Sequence, residues 1–138
     1  MRASEPRIPI IIITLGKEKI KCLIDTGSAT SVIKPNILNE FSEENLSEPV
    51  YYSTINGVNK ITKKLITPIP TEFKLLGNVT WKIIDLKGRN YDAIMGQNFL
   101  VPFKAKINLD NKYIEINNNK ILFEENNYPF IISDIYIH

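Results

Sequence analysis

Residues 22–33, Cys-Leu-Ile-Asp-Thr-Gly-Ser-Ala-Thr-Ser-Val-Ile, place a single carboxylate between two apolar segments. The residues before Asp25 alternate between polar and apolar, which predicts a strand with one buried face. A carboxylate that directly follows a buried strand is costly to ionise unless it is hydrogen-bonded or paired. Gly27, two residues later, lets another chain approach the backbone closely. The segment therefore predicts a carboxylate at the floor of a cleft, or else an ordinary strand-ending turn with local hydroxyl bonds.

The sequence as a whole favours strands, since it contains 24 isoleucines and only 4 alanines and isoleucine suits pleated surfaces. An apolar run from residue 8 followed by alternation to residue 24 predicts one hairpin. Asn56-Gly57 between two strand-like runs predicts a second hairpin with its turn at those two residues. The polar stretch 34–48 is predicted to be a surface connection with one helical turn near residues 35–38. Other strands are predicted at 31–33, 79–84, 91–95, 103–109, 113–116 and 121–123, with a short helix at 97–101.

Composition narrows the possible chemistry. The net charge is only +2, whereas nucleic-acid binders usually carry a clustered basic face. One cysteine cannot form an internal disulfide, and the one histidine stands at position 138. No segment has the spacing of metal ligands, and no cofactor or metal is expected. Carboxylates, hydroxyls and backbone groups are left to carry the chemistry.

Three blocks in order resemble the retroviral-type aspartic proteases, the retropepsins. Residues 22–33 are similar to the active-site loop of that family, and the hairpin around Asn56-Gly57 stands where the family has its flap. Residues 91–100, Tyr-Asp-Ala-Ile-Met-Gly-Gln-Asn-Phe-Leu, resemble the block that opens the family's short helix. The hairpin 104–116 resembles the C-terminal strands of Gypsy-type retrotransposon proteases. Gln97 and Asn98 depart from the family, which often has charged residues there.

The resemblance implies an all-β fold, a retropepsin-like closed β-barrel with one short C-terminal helix that functions as a homodimer. It implies a protease domain over residues 1–124 and a C-terminal extension or polyprotein junction over 125–138. The catalytic residues implied are Asp25, Thr26 and Gly27. The substrate-binding residues implied are Gly27, Ala29, Thr30, Ile55, Asn56, Gly57 and Val58.

Hydrolysis by aspartates needs two carboxyls that share a proton, because like charges this close cannot both ionise. (The aspartic-protease pair is a well-known example of two carboxyls that share a proton.) The sequence has one Asp-Thr-Gly, so the second carboxyl is expected from Asp25 of a second copy. Thr26 is expected to tie the two loops together. The hairpin is expected to close over an extended peptide.

Three functional hypotheses follow. The first is an endopeptidase of an LTR retrotransposon or endogenous retrovirus that cleaves a polyprotein. The second is a captured cellular domain that dimerises and binds peptides with weak or no catalysis, and the third is a cellular protease domain within a larger protein. The expected partners are a second copy and an extended polypeptide, with no nucleic acid and no membrane. The expected location is the cytoplasm or a virus-like particle.

Overall fold

The computed structural model describes residues 9–124 and 135–138. Its elements are β1 (Ile10–Leu15), β2 (Glu18–Ile24), β3 (Ser31–Ile33), β4 (Glu43–Thr54), β5 (Gly57–Pro68), a 3-10 turn (Thr71–Phe73), β6 (Asn78–Ile83), β7 (Ala93–Met95), α1 (Gln97–Leu100), β8 (Lys106–Asn108), β9 (Tyr113–Ile116), β10 (Asn119–Leu122) and β11 (Tyr136–Ile137). The mostly β character and the short helix near the C-terminal end are confirmed. Within these residues, no helix is long and apolar enough to span a membrane.

Most strands belong to one eight-stranded sheet in the order β1-β2-β7-β3-β6-β5-β4-β11, and β10-β9-β8 form a second, three-stranded sheet. Across residues 9–124 and 135–138 neither sheet closes on itself, so the expected closed barrel is not confirmed. The boundary expected at residue 124 stays a prediction, because residues 125–134 lie outside the described part of the chain.

The centre of the large sheet brings together the segments 22–33 and 91–100. Strand β7 pairs in parallel with β2, aligning Leu23 with Ile94, and antiparallel with β3, aligning Val32 with the same Ile94. Both ends of the segment 22–33 therefore flank one strand. The loop that joins them, which carries Asp25, leaves the sheet where β7 runs into α1.

Each face of the sheet buries its own apolar cluster, as the two-residue period of strands requires. One cluster is centred on Trp81, Phe73 and Phe99 and includes Cys22 and Met95. The second apolar cluster contains Ile10, Leu23, Val32, Ile61, Ile84, Leu86, Tyr91 and Ile94. Neighbours such as Leu23 and Cys22 thus face opposite clusters, and the second apolar cluster lies on the face that also receives side chains from β4.

The polar stretch after β3 departs from its predicted structure. Residues 43–48 are not a surface connection but the first half of β4, which pairs with β5 from Glu43↔Leu65 onward. A register shift between Asn45 and Val50 interrupts the pairing. The predicted helical turn near residues 35–38 is an ordinary turn. Periodicity failed here because this part of β4 is exposed, so partner hydrogen bonds rather than buried side chains define the strand.

Cys22 is fully buried in the centre of the sheet, and burial raises the pKa of its thiol far above the usual range. We expect the native protein to resist thiol reagents, because only the thiolate reacts and it cannot form in the apolar interior. Labelling with an Ellman-type reagent should proceed at the rate of global unfolding and become complete in denaturant. Stoichiometric labelling of native protein at mixing speed would contradict this placement.

Candidate active site

Asp25 begins the loop that follows β2, and its position is set by backbone contacts. Its N–H donates to the carbonyl of Met95 at 3.0 Å, which extends the β2–β7 pairing by one residue. The residue is half-buried. Its Oδ1 accepts the N–H of Gly27 at 2.9 Å, and its carbonyl accepts the N–H of Ser28 at 3.2 Å. The carboxylate is therefore held at a defined place beside its own loop.

Gly27 stands against that carboxylate. A Cβ added to Gly27 would lie 3.2 Å from Asp25 Oδ1, a distance at which the neighbouring atom must shift. Thr26 and Gly27 are exposed, so the turn leaves the carboxylate's surroundings open to other molecules. These are the residues that the sequence singled out as catalytic, and the structure brings the three together in one turn.

The first residues of α1 donate hydrogen bonds to the loop that carries Asp25. The N–H of Gln97 donates to the Ser28 carbonyl at 2.7 Å, and the N–H of Asn98 donates to the Ala29 carbonyl at 3.2 Å. The Gln97 side-chain amide also donates to the Thr26 carbonyl at 2.7 Å. The N–H groups of a first helical turn have no partner within the helix. Here these N–H groups find their acceptors in carbonyl oxygens of the loop that carries Asp25.

A second set of side-chain bonds joins the far end of the loop to α1. The Ser31 hydroxyl donates to Asn98 Oδ1 at 2.7 Å and accepts the N–H of Gly96 at 2.9 Å. The Asn98 amide nitrogen donates to the Thr80 carbonyl on β6 at 3.1 Å. Sequence reasoning noted Gln97 and Asn98 as departures from the family and missed Ser31. Two neutral amides and one hydroxyl therefore hold the loop against α1.

Two further loop positions predicted to contact substrate differ in exposure. Ala29 is exposed, whereas Thr30 is buried and its carbonyl accepts the Ser28 hydroxyl at 2.7 Å. Lys82, on β6, donates through Nζ to the Thr30 hydroxyl at 3.1 Å. Partial burial lowers the pKa of the Lys82 ammonium. Lys82 is a residue near the loop that sequence reasoning did not find, because its neighbour Thr30 is remote in sequence.

The hairpin formed by β4 and β5 carries the remaining predicted site residues. Ile55, Asn56, Gly57 and Val58 are all exposed at its tip. The turn residues are Ile55 and Asn56, with Gly57 already paired to Thr54, so the predicted turn at Asn56-Gly57 is wrong by one position. Only Gly57 of this group has a positive φ, 123°, and it follows the turn rather than forming its centre.

The stem of that hairpin packs on the apolar cluster that contains strand residues next to the Asp25 loop. Val50 and Tyr52 of β4 contact the second apolar cluster, which includes Leu23 and Ile94. Leu23 lies two residues before Asp25, and Ile94 precedes Met95, which holds the Asp25 amide. The carboxylate loop and the hairpin thus border the same apolar face.

A turn-borne Asp-Thr-Gly between two central strands, with a β-hairpin over the adjacent face, defines an aspartic-protease-like domain. Among solved structures, the crystal structure of the retroviral protease-like domain of Ddi1 from Leishmania major is similar to the chain. The TM-score is 0.60 at 14% identity, over 93% of this chain and 100% of the other. At that identity the likeness concerns the fold alone. No curated protein sequence matches the chain.

The family profile described as retroviral aspartyl protease matches residues 6–121. The chain belongs to the retroviral aspartyl protease family, as the resemblance implied. The roles of the individual site residues stay predictions.

Proposed function

We propose that the protein is an aspartic endopeptidase that works as a homodimer. The observation that carries the proposal is the Asp25 loop. Its half-buried carboxylate accepts the N–H of Gly27, and the Asp25 N–H donates to the Met95 carbonyl. In the dimer, Asp25 of each copy would share one proton with the other. One carboxylate takes a proton from water as the water attacks the peptide carbonyl, and the other gives its proton to the carbonyl oxygen. The tetrahedral intermediate then collapses and the C–N bond breaks: the carboxyl that took the proton from water gives it to the leaving nitrogen, and the other carboxylate takes back the proton of the hydroxyl as the carbonyl re-forms.

The surface beside the loop supports a second copy as the partner. A groove of about 390 Å³ adjoins Thr26 and is lined by Gln97, Leu100, Val101, Lys104, Ala105 and Ile107. Val101 is 67% exposed there. Within the described residues the Thr26 hydroxyl makes no hydrogen bond, which leaves it free for a partner. An interface around a two-fold axis uses the same patch on both copies. A dimer formed through the surface beside Thr26 would therefore bring the two Asp25 loops together.

The hairpin supports an extended peptide as the substrate. Its tip exposes Ile55 and Val58, 89% and 65% respectively. Exposed apolar residues at the end of a hairpin are suited to close on a ligand and exclude water. We propose that substrate lies between this tip and the loop, where it contacts Gly27, Ala29 and Thr30. The expected polar contacts are main-chain bonds, which accept many sequences.

The natural substrate depends on the gene that carries the domain. We propose polyprotein cleavage for a retrotransposon or endogenous retrovirus, in the cytoplasm or a virus-like particle. The likeness to the Ddi1 domain supports a second candidate, a cellular retropepsin-like domain that binds or cleaves peptides. The gene sequence that flanks this domain would distinguish the retroelement protease from the cellular domain, since a reverse transcriptase encoded downstream indicates a mobile element.

The direct test of the proposal is cleavage of a peptide library at mildly acidic pH, read by mass spectrometry with and without pepstatin. Sedimentation of the same sample establishes whether a dimer is present. Cleavage that pepstatin blocks supports the endopeptidase. A verified dimer that cleaves nothing in the library would overturn it and favour the peptide-binding module.

Replacing Thr26 with alanine should weaken the dimer, because it removes the hydroxyl expected to bond across the axis. Each such bond contributes roughly 0.5–1.5 kcal/mol, and symmetry removes two of them. The dimer dissociation constant should therefore rise about tenfold or more. Sedimentation equilibrium measures it, with Thr62→Ala, an exposed threonine on β5, as the matched control. Equal dissociation constants for the two variants would exclude this role for Thr26.

A further inference from the structure

The outer edge of the hairpin is occupied by a strand from the other end of the chain. Strand β11 pairs antiparallel with β4, aligning Tyr136 with Ser53 and Ile137 with Tyr52. The N–H of His138 donates to the Tyr51 carbonyl at 2.8 Å. The His138 ring and the Ser53 hydroxyl are also 2.8 Å apart. The segment 135–138 is therefore bound to the hairpin by main-chain and side-chain bonds.

The side chains of this segment alternate as those of a bound peptide would. Ile135 and Ile137 pack against the second apolar cluster, the one that contains Leu23, Val32 and Ile94. Tyr136, between them, is 68% exposed. The pairing begins next to Thr54, the last residue before the hairpin turn. Two aliphatic side chains thus cover the apolar face that the Asp25 loop borders.

We propose that residues 135–138 are a built-in ligand of a peptide site formed by the β4 edge and the second apolar cluster, next to the Asp25 loop, and that they occupy this site until a substrate strand displaces them. The inference rests on the proposed function and deepens it. Adding a strand to an exposed sheet edge, with pockets for alternate side chains, is a general mode of peptide recognition. A peptide that replaces the segment needs the same features, so the preferred substrates are extended and carry aliphatic side chains two positions apart.

Residues 135–138 belong to the same chain as the site they occupy, and this covalent connection raises their ability to compete with free peptides. A segment joined to its site by a short linker acts at an effective concentration on the order of millimolar. Peptides in solution compete against that concentration, even where the contacts of two isoleucines are individually modest. The segment therefore raises the peptide concentration needed to fill the site at the β4 edge and leaves the catalytic step unchanged.

The test compares two substitutions in the full chain. Ile137→Asp places a charge against the second apolar cluster, and Tyr136→Asp makes the same change on the exposed side of the same strand. We expect Ile137→Asp to tighten binding of a labelled, aliphatic-rich extended peptide about tenfold, measured by fluorescence anisotropy in the Asp25→Asn background. Tyr136→Asp should leave binding unchanged. Equal effects of the two variants, or weaker binding by Ile137→Asp, would overturn the proposal.

A double-cysteine variant holds the segment in place by a covalent bond. Tyr52 and Ile137 lie directly opposite each other, and facing residues of an antiparallel pair fall within disulfide reach. In the double replacement Tyr52→Cys and Ile137→Cys, the oxidised protein should lose peptide binding, and dithiothreitol should restore it. Equal binding before and after reduction would overturn the proposal. Misfolding could not explain that result, because the oxidised and reduced forms are the same protein sample.

The binding measurements separate this inference from the proposed catalysis. If Ile137→Asp tightens peptide binding while the protein with native Asp25 cleaves nothing, the built-in ligand stands and the endopeptidase falls. If the native protein cleaves, and neither Ile137→Asp nor the double-cysteine variant changes binding or KM, the endopeptidase stands and the built-in ligand falls.

Discussion

Asp25→Asn is expected to abolish peptide cleavage while the protein remains folded and dimeric. Asparagine has nearly the same shape, and its Oδ1 can still accept the Gly27 N–H that positions the native carboxylate at 2.9 Å. It cannot take a proton from water or hold the shared proton. Loss of positioned acid–base catalysis costs about 10²–10⁴-fold in rate, and because both copies change together we expect the upper end of that range. Initial rates on a fluorogenic peptide measure the loss.

The matched control is Asp110→Asn, the same change at an exposed position in the turn between β8 and β9. It should retain full activity. Sedimentation must show that Asp25→Asn is still a dimer, so that lost activity is not lost assembly. Undiminished cleavage by Asp25→Asn would remove the assignment of this residue, and equal losses in both variants would point to a general effect of charge.

Gly96→Ala is expected to be the most destabilising of the glycine-to-alanine changes in the described residues. An added Cβ would lie 2.3 Å from the Thr30 carbonyl oxygen and 2.7 Å from the Ser28 carbonyl oxygen. Both are backbone atoms of the Asp25 loop, which is held against α1 by bonds to Gln97 and Asn98. The loop and the helix must separate to make room. We expect a loss of about 4 kcal/mol or more in the free energy of unfolding, the range of exceptional single substitutions.

Gly88→Ala separates this clash from ordinary glycine effects. Gly88 has a φ of 84°, and an added Cβ there meets no atom within 4 Å. Its cost is conformational only, about 1–2 kcal/mol. Urea denaturation of both variants measures the two costs. If Gly96→Ala is no less stable than Gly88→Ala, the loop and α1 are not in the close contact described.

Glycine at position 96 also illustrates what a sequence leaves open. Its φ is −109°, an extended conformation open to any residue. The requirement for glycine comes from the approach of the chain near Ser28 and Thr30, more than sixty residues earlier. Local patterns carry no trace of such a contact. The block 91–100 resembles a family motif that contains this glycine, but only the packing of the chain around position 96 explains why glycine is required there.

The strands with one buried face were predictable, because burial at every second residue appears in the sequence. Residues 113–116, buried at every second position, match their predicted bounds. Residues 31–33, which are buried throughout, also match, and the hairpin of β1 and β2 is confirmed. The first half of β4 was missed, because its exposed polar side chains resemble those of a loop. The turn of the second hairpin was misplaced by one residue, since cross-strand register decides which pair of residues turns.

The family, the strand-rich fold and the single Asp-Thr-Gly could all be predicted from the sequence, because each depends on residues that are neighbours along the chain. The partners that hold the Asp25 loop, namely Met95, Gln97 and the Ser31–Asn98 pair, could be identified only in the folded chain. The same is true of the addition of residues 135–138 to the β4 edge. These contacts join distant parts of the chain, and an extended strand can pair with any exposed edge of suitable shape. Their choice depends on geometry that no local pattern contains.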